Sequence, residues 1–146
     1  MFDKILVVCV GNICRSPFGE HLLQKKLPHK KIASAGIGAE KSGLVGKPAD
    51  SMAQEVSKEL GVELNEHRAQ QLTSALCAQY DLILVMEKGH MEALTSIAPE
   101  ARGKTMLFGE WIGRKDIPDP YRQRREAFDF AYQLIEQAAD AWAAKL

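Results

Sequence analysis

The segment CVGNICRSP, residues 9 to 17, sets Cys9 ahead of Arg15 between an apolar run ending at Val8 and a pattern with helical spacing. A strand-to-helix turn of this kind gathers backbone N–H groups at one point and adds the positive end of the helix dipole, which suits an anion the size of phosphate. Gly11 permits close approach, and Arg15 offers a planar fork for two oxygens of that anion, which a lysine would not reproduce. The same field favours thiolate over thiol. Cys9 would then be a nucleophile beneath whatever the turn holds, with Ser16 as a donor to the sulfur and a candidate helix cap. The plain alternative is a buried cysteine closing a core strand, with a solvated arginine in the first helical turn. A P-loop NTPase is a poor fit, because no G-x-x-x-x-G-K-[ST] occurs.

A cysteine that accepts a phosphoryl group needs an acid for the departing oxygen, and a positioned carboxyl contributes about 10² to 10⁴ in rate. In IPDPYRQ, residues 117 to 123, Asp119 lies between two prolines that stiffen its backbone. Composition supports a catalytic acid and an ordinary turn aspartate equally. Tyr121 stands either to stack on an aromatic substrate or to cover the core edge, with stacking preferred by analogy with aromatic recognition elsewhere.

The elements that must hold these residues follow from hydrophobic spacing. Short buried strands are expected at Ile5–Val8, Lys31–Ser34, Leu82–Met86 and Thr105–Phe108. Helices are expected at Pro17–Leu27, with Pro17 in the first position, at Pro48–Leu60 with Gly61 as its stop, and at Leu72–Ala78, Lys88–Ile97 and about Arg124–Ala144. Strands alternating with helices imply right-handed crossovers and a mainly parallel sheet covered on both faces. Two stretches, Gly36–Lys47 and Gly109–Arg122, lack a pattern, and in such a sheet the loops leaving strand C-terminal ends wall the ligand site. The stripe Phe128, Tyr132, Ile135, Ala139 and Trp142 has helical spacing and reads as core.

The 146 residues suit one domain, 1–146, around one core. Nineteen basic and nineteen acidic side chains cancel, which disfavours nucleic acid and anionic membrane surfaces as partners. No secretory leader or membrane-spanning run is expected from the N-terminus or elsewhere. Three cysteines without CxxC spacing argue against a disulfide framework and a structural zinc site, so the cytoplasm is the expected compartment.

With its preceding strand, Cys9-Val10-Gly11-Asn12-Ile13-Cys14-Arg15-Ser16-Pro17 resembles the phosphate-binding loop of the low-molecular-weight protein tyrosine phosphatases, and Asp119-Pro120-Tyr121 resembles that family's general-acid loop. The resemblance spans the chain. It implies a three-layer α/β fold with a four-stranded parallel sheet and helices on both faces. It also implies Cys9 as nucleophile, Arg15 as oxyanion clamp, Ser16 as thiolate partner, and Asp119 as acid and then base. Val10, Gly11, Asn12, Ile13 and Cys14 complete the loop, Asn12, Ser34 and His67 form the network that holds it, and Tyr121 meets the substrate ring. Neither metal nor cofactor is expected for the reaction. The implied substrate is a phosphotyrosyl protein, and the segments DLILVMEK and MLFGEW point to bacterial relatives acting on tyrosine autokinases of capsule or exopolysaccharide export. A monomer is expected.

Two departures from the family pattern stand out. The stretch AGIGAEKSGLV is longer than the usual cleft wall and lacks its bulky side chain, so a mobile wall is expected. Gln70 stands where many relatives carry arginine. Arg122, Arg124 and Arg125 form either a docking patch for an acidic tail or a solvated helix start. Three rivals remain. An arsenate reductase needs a redox pair beyond the loop, where only Cys77 occurs. A phosphoarginine phosphatase tends to carry threonine at the Ile13 position. A non-catalytic phosphoprotein-binding module would need neither Cys9 nor Asp119.

Overall fold

The computed structural model describes residues 2–146; Met1, which begins the stretch read for a leader, lies outside the described residues. Strands β1 (Lys4–Cys9), β2 (Lys31–Gly36), β3 (Leu82–Val85) and β4 (Thr105–Leu107) form one sheet in the order β2-β1-β3-β4. Every pairing is parallel. Helices α1 (Arg15–Lys26), α2 (Ser51–Glu59), α3 (Ser74–Cys77), α4 (His90–Ile97) and α5 (Arg125–Lys145) connect and cover them, with a 3₁₀ turn at Pro99–Lys104 that the sequence pattern does not signal.

The strands are apolar on both sides because both sheet faces are covered. Ile5, Val7, Leu84 and Met86 point into a core closed by Phe18, Val56, Phe128, Tyr132 and Trp142, from α1, α2 and α5. Leu6, Val8, Ile83 and Val85 point the other way, against Leu72, Cys77, Leu94 and Ala98. The apolar stripe of α5 is buried as expected, and Trp142 Nε1 donates to the Phe108 carbonyl at 2.9 Å. Strand order reverses at β1, since β2 lies on one side of it and β3 on the other, and that switch point opens a crevice beyond the carboxyl ends of β1 and β3. Cys9 ends β1 there.

The expected strands are all present, and the helix starts are where the sequence misleads. Helix α1 begins at Arg15 with Cys14 as its cap residue and no side-chain cap, so Pro17 is the third helical residue and Ser16 caps nothing. Its hydroxyl is engaged by Cys9 and Asn12 instead. Helix α2 begins after Pro48, where Asp50 Oδ2 accepts from the backbone N–H of Met52 at 3.0 Å and of Ala53 at 3.2 Å. Gly61 follows α2 at φ +82°, the left-handed geometry of a glycine stop.

Candidate active site

The turn between β1 and α1 is built around Asn12, which is fully buried and left-handed at φ 60°. Asparagine visits that region more readily than most residues, and its side chain is used at every polar atom. Nδ2 donates to Ser16 Oγ at 2.7 Å and to Ser34 Oγ at 2.9 Å, while Oδ1 accepts from the Gln70 N–H at 2.9 Å. The Asn12 carbonyl accepts from His67 Nε2 at 2.7 Å. Gly36 lets β2 come this close, because a Cβ there would meet the Val10 carbonyl oxygen at 2.5 Å. Gln70 keeps a structural place without an ion pair, donating Nε2–H to the Ser34 carbonyl at 2.9 Å.

Inside this frame Cys9 Sγ lies 2.9 Å from Ser16 Oγ, at the N-terminus of α1. Arg15 is 1% exposed, and a charge so buried requires partners. Its Nη1 donates to Glu87 Oε2 at 2.5 Å and to the Ile117 carbonyl at 2.7 Å, leaving the rest of the guanidinium to grip an anion. Both are contacts the sequence did not signal. Glu87 lies just past β3, and nothing in its local sequence distinguishes it from a solvated acid.

Asp119 is held in a turn and also borders the cleft. Oδ1 accepts from the Tyr121 N–H at 3.0 Å, an Asx turn, while Oδ2 lies 3.8 Å from Arg15 Nη2. Tyr121 packs against the core edge and also lines the cleft, with the Arg122 guanidinium 5.2 Å from its ring centre. The cleft measures about 310 Å³, within the range of small-molecule sites, and brings together Cys9, Val10, Gly11, Ile13, Cys14, Arg15, Asp119 and Tyr121. Asn12, Ser16, Ser34 and His67 stand behind it rather than in its wall.

Ser42 and Leu44 complete the wall without having been assigned a site role from sequence, together with Arg122, read there as part of a docking patch or a helix start. The stretch after β2, expected to be a mobile wall without a bulky residue, is a hydrogen-bonded double turn: Leu44 N–H donates to Ala39 at 2.8 Å, Gly46 N–H to Ala69 at 2.8 Å, and Gln71 accepts from the Glu40 N–H at 2.8 Å. Leu44 supplies the bulk, and it sits so close that a Cβ on Gly11 would meet its Cδ1 at 2.9 Å. The arginines divide. Arg125 pairs with Glu59 at 2.6 Å and Asp129 at 3.3 Å, so it belongs to the α2–α5 contact and not to a docking patch.

Burial, with Asp50 and Cys9 nearby, pushes the Cys14 thiol well above its ordinary range. It stays a thiol in the wall, and its carbonyl accepts from Tyr132 Oη at 2.7 Å, which ties the loop to α5. Burial lowers the pKa of His67, keeping the ring neutral. Cys77 lies on the opposite face of the sheet from Cys9, and burial raises its pKa.

Comparison with known proteins agrees with this geometry. A family model described as low molecular weight phosphotyrosine protein phosphatase matches residues 4–146. The low molecular weight protein-tyrosine-phosphatase Etp of Escherichia coli strain K12 is 52% identical over 99% of this chain and 95% of its own length. The structure of Vibrio vulnificus Wzb in complex with benzylphosphonate is similar over all of both chains, at 75% identity and TM-score 0.99. The YwlE arginine phosphatase of Geobacillus stearothermophilus is more distant, at 34% identity and TM-score 0.88 over 97% of this chain and 91% of its own.

Proposed function

Because this chain belongs to the low molecular weight phosphotyrosine protein phosphatase family, we propose that it hydrolyses phosphotyrosine on proteins through a cysteinyl-phosphate intermediate at the cleft of Cys9. The observation that carries the reading is the convergence of Cys9, Arg15 and Asp119 on one cleft at the end of β1. The Cys9 sulfur attacks phosphorus in line, forming the S–P bond as the bond to the tyrosyl oxygen breaks. Asp119 gives that oxygen its proton. Backbone N–H groups of residues 10–15, the α1 dipole and Arg15 hold the three remaining oxygens where charge develops. Water then attacks the cysteinyl phosphate, Asp119 takes a proton from it, phosphate leaves and the thiolate returns. Ser16 steadies the sulfur in both steps, while Asn12, Ser34 and His67 keep the loop in shape.

The proposed partner is a phosphotyrosyl protein, and within that class a tyrosine autokinase of capsule or exopolysaccharide export, by likeness to the proteins named Wzb and Etp. We place the reaction in the cytoplasm, in a monomer formed by one domain, 1–146. In the described residues no helix is long and apolar enough to cross a membrane. The arsenate reductase alternative lacks a redox pair beyond the loop, since Cys77, the one cysteine there, faces the other core. The phosphoarginine alternative rests on the more distant relative.

Replacing Asp119 by asparagine tests the assignment. With a phosphotyrosyl peptide kcat falls by about 10² or more, and with an aryl ester whose leaving group needs no proton it falls much less. Equal losses on both substrates would remove Asp119 from the acid role.

A further inference from the structure

Behind the catalytic loop, α1 and the chain following α2 bring Glu20, His21 and His67 together, with one ligand atom from each within 4.8 Å of the others. His21 Nε2 is 3.5 Å from Glu20 Oε2, and the two imidazole centres are 6.3 Å apart in an edge-to-face arrangement. They line a recess of about 220 Å³ that shares no residue with the cleft.

A separate observation fixes the tautomer of His67. Nε2 lies 2.7 Å from the Asn12 carbonyl oxygen, which can only accept, so Nε2 carries the proton and Nδ1 of the neutral ring carries the lone pair. Metal-binding histidines are commonly held this way, with the far N–H given to a backbone carbonyl that fixes the tautomer and raises ligand basicity. Glu20 is divided in the same manner. Its Oε1 accepts from Ser34 Oγ at 2.5 Å, and its Oε2 is the oxygen beside His21. The lowered pKa of the buried His67 keeps it in the neutral form that a metal requires.

We propose that Glu20, His21 and His67 form a binding site for a divalent d-block cation, with zinc the best match, distinct from the phosphatase cleft. Two imidazoles and one carboxylate are a zinc ligand set, with water completing the tetrahedron. Metal–ligand bonds of about 2.0–2.2 Å draw such atoms to roughly 3.3 Å apart, and His21, half-exposed on the surface of α1, is the ligand that moves. Glu66 adds negative charge to the recess and Arg68 opposes it, while Arg68 Nη1 is turned to the His67 carbonyl at 2.8 Å. A cation on His67 Nδ1 makes Nε2–H a stronger donor to Asn12, so occupancy of the site tightens the catalytic loop from behind.

The test separates this site from the active-site thiolate, which also attracts zinc. Calorimetric titration of the Cys9→Ser chain with zinc chloride, carried to about 1 mM at the weak end of the affinity scale, yields one saturable site per chain. Adding His21→Ala weakens binding by about tenfold or more, in line with the loss of a metal-site partner. In a chain retaining Cys9, His21→Ala leaves metal-free turnover unchanged, because His21 has no part in the reaction. Zinc also moves the His67 Nδ1 resonance in nitrogen-15 spectra of the Cys9→Ser chain. Absence of saturable binding, equal binding after His21→Ala, or an unmoved His67 nitrogen at saturation would overturn the proposal.

Discussion

Replacing Cys9 by serine is expected to lower kcat by about 10⁴ or more while leaving phosphate and benzylphosphonate bound within about tenfold of the parent affinity. The two outcomes separate because they rest on different atoms. Anion binding draws on the backbone N–H groups of the loop, the N-terminus of α1 and Arg15, and none of these changes. Arg15 in particular is anchored through Nη1 by Glu87 and the Ile117 carbonyl, contacts that do not involve residue 9. Turnover draws on the sulfur itself, and a serine hydroxyl is scarcely ionised near neutral pH. The smaller oxygen stays opposite Ser16, so the loop keeps its shape. Kinetics on an aryl phosphate and calorimetry with the two anions measure both halves. Residual turnover within about tenfold of the parent would mean that Cys9 is not the nucleophile, and loss of anion binding in a folded variant would mean that the loop is not the cradle.

Selectivity for the aryl ester is the second large effect. Cys9 is 3% exposed and lies at the floor of a cleft walled by Leu44, Ile13 and Tyr121. A phosphate on a rigid ring spans that depth, whereas a phosphoseryl side chain is too short to bring phosphorus to sulfur while its backbone stays outside. Peptides of matched sequence should therefore show kcat/KM for phosphotyrosine above that for phosphoserine by at least about 10³. One extra apolar contact supplies only about 10–200-fold, so the ratio requires geometric exclusion. Phosphoarginine should also fall below phosphotyrosine. In Tyr121→Ala the loss on the aryl substrate should appear chiefly in KM. Comparable rates on phosphoserine, or faster turnover of phosphoarginine, would overturn the substrate reading without touching the cysteine chemistry.

Much of this arrangement is legible in the residues themselves. The four strands are short branched runs covered on both sides, and Cys9, Arg15 and Asp119, which meet in one cleft, stand out in local motifs. The start of α1 is not legible, because Ser16-Pro17 has the look of a cap and first residue. The loop instead enters the helix at Arg15 without a side-chain cap, and those first N–H groups are the ones an anion would meet. Glu87, Leu44 and the Glu20–His21–His67 cluster escape for a different reason. Each gains its meaning from a partner distant in the chain, and an acid after a strand, a leucine in a glycine-rich stretch or a histidine on a helix has no local signature. Arg125 was ambiguous for the same reason until the packing of α5 on α2 brought Glu59 to it.

The most direct test of the central claim is rapid-quench analysis of the enzyme turning over a phosphotyrosyl peptide labelled with phosphorus-32, followed by peptide mapping of the acid-quenched protein. Label should accumulate on the protein within the first turnover, on Cys9 alone, as an S-phosphocysteine. Label on another residue, or free phosphate released from the first turnover with no phosphoenzyme formed, would contradict it.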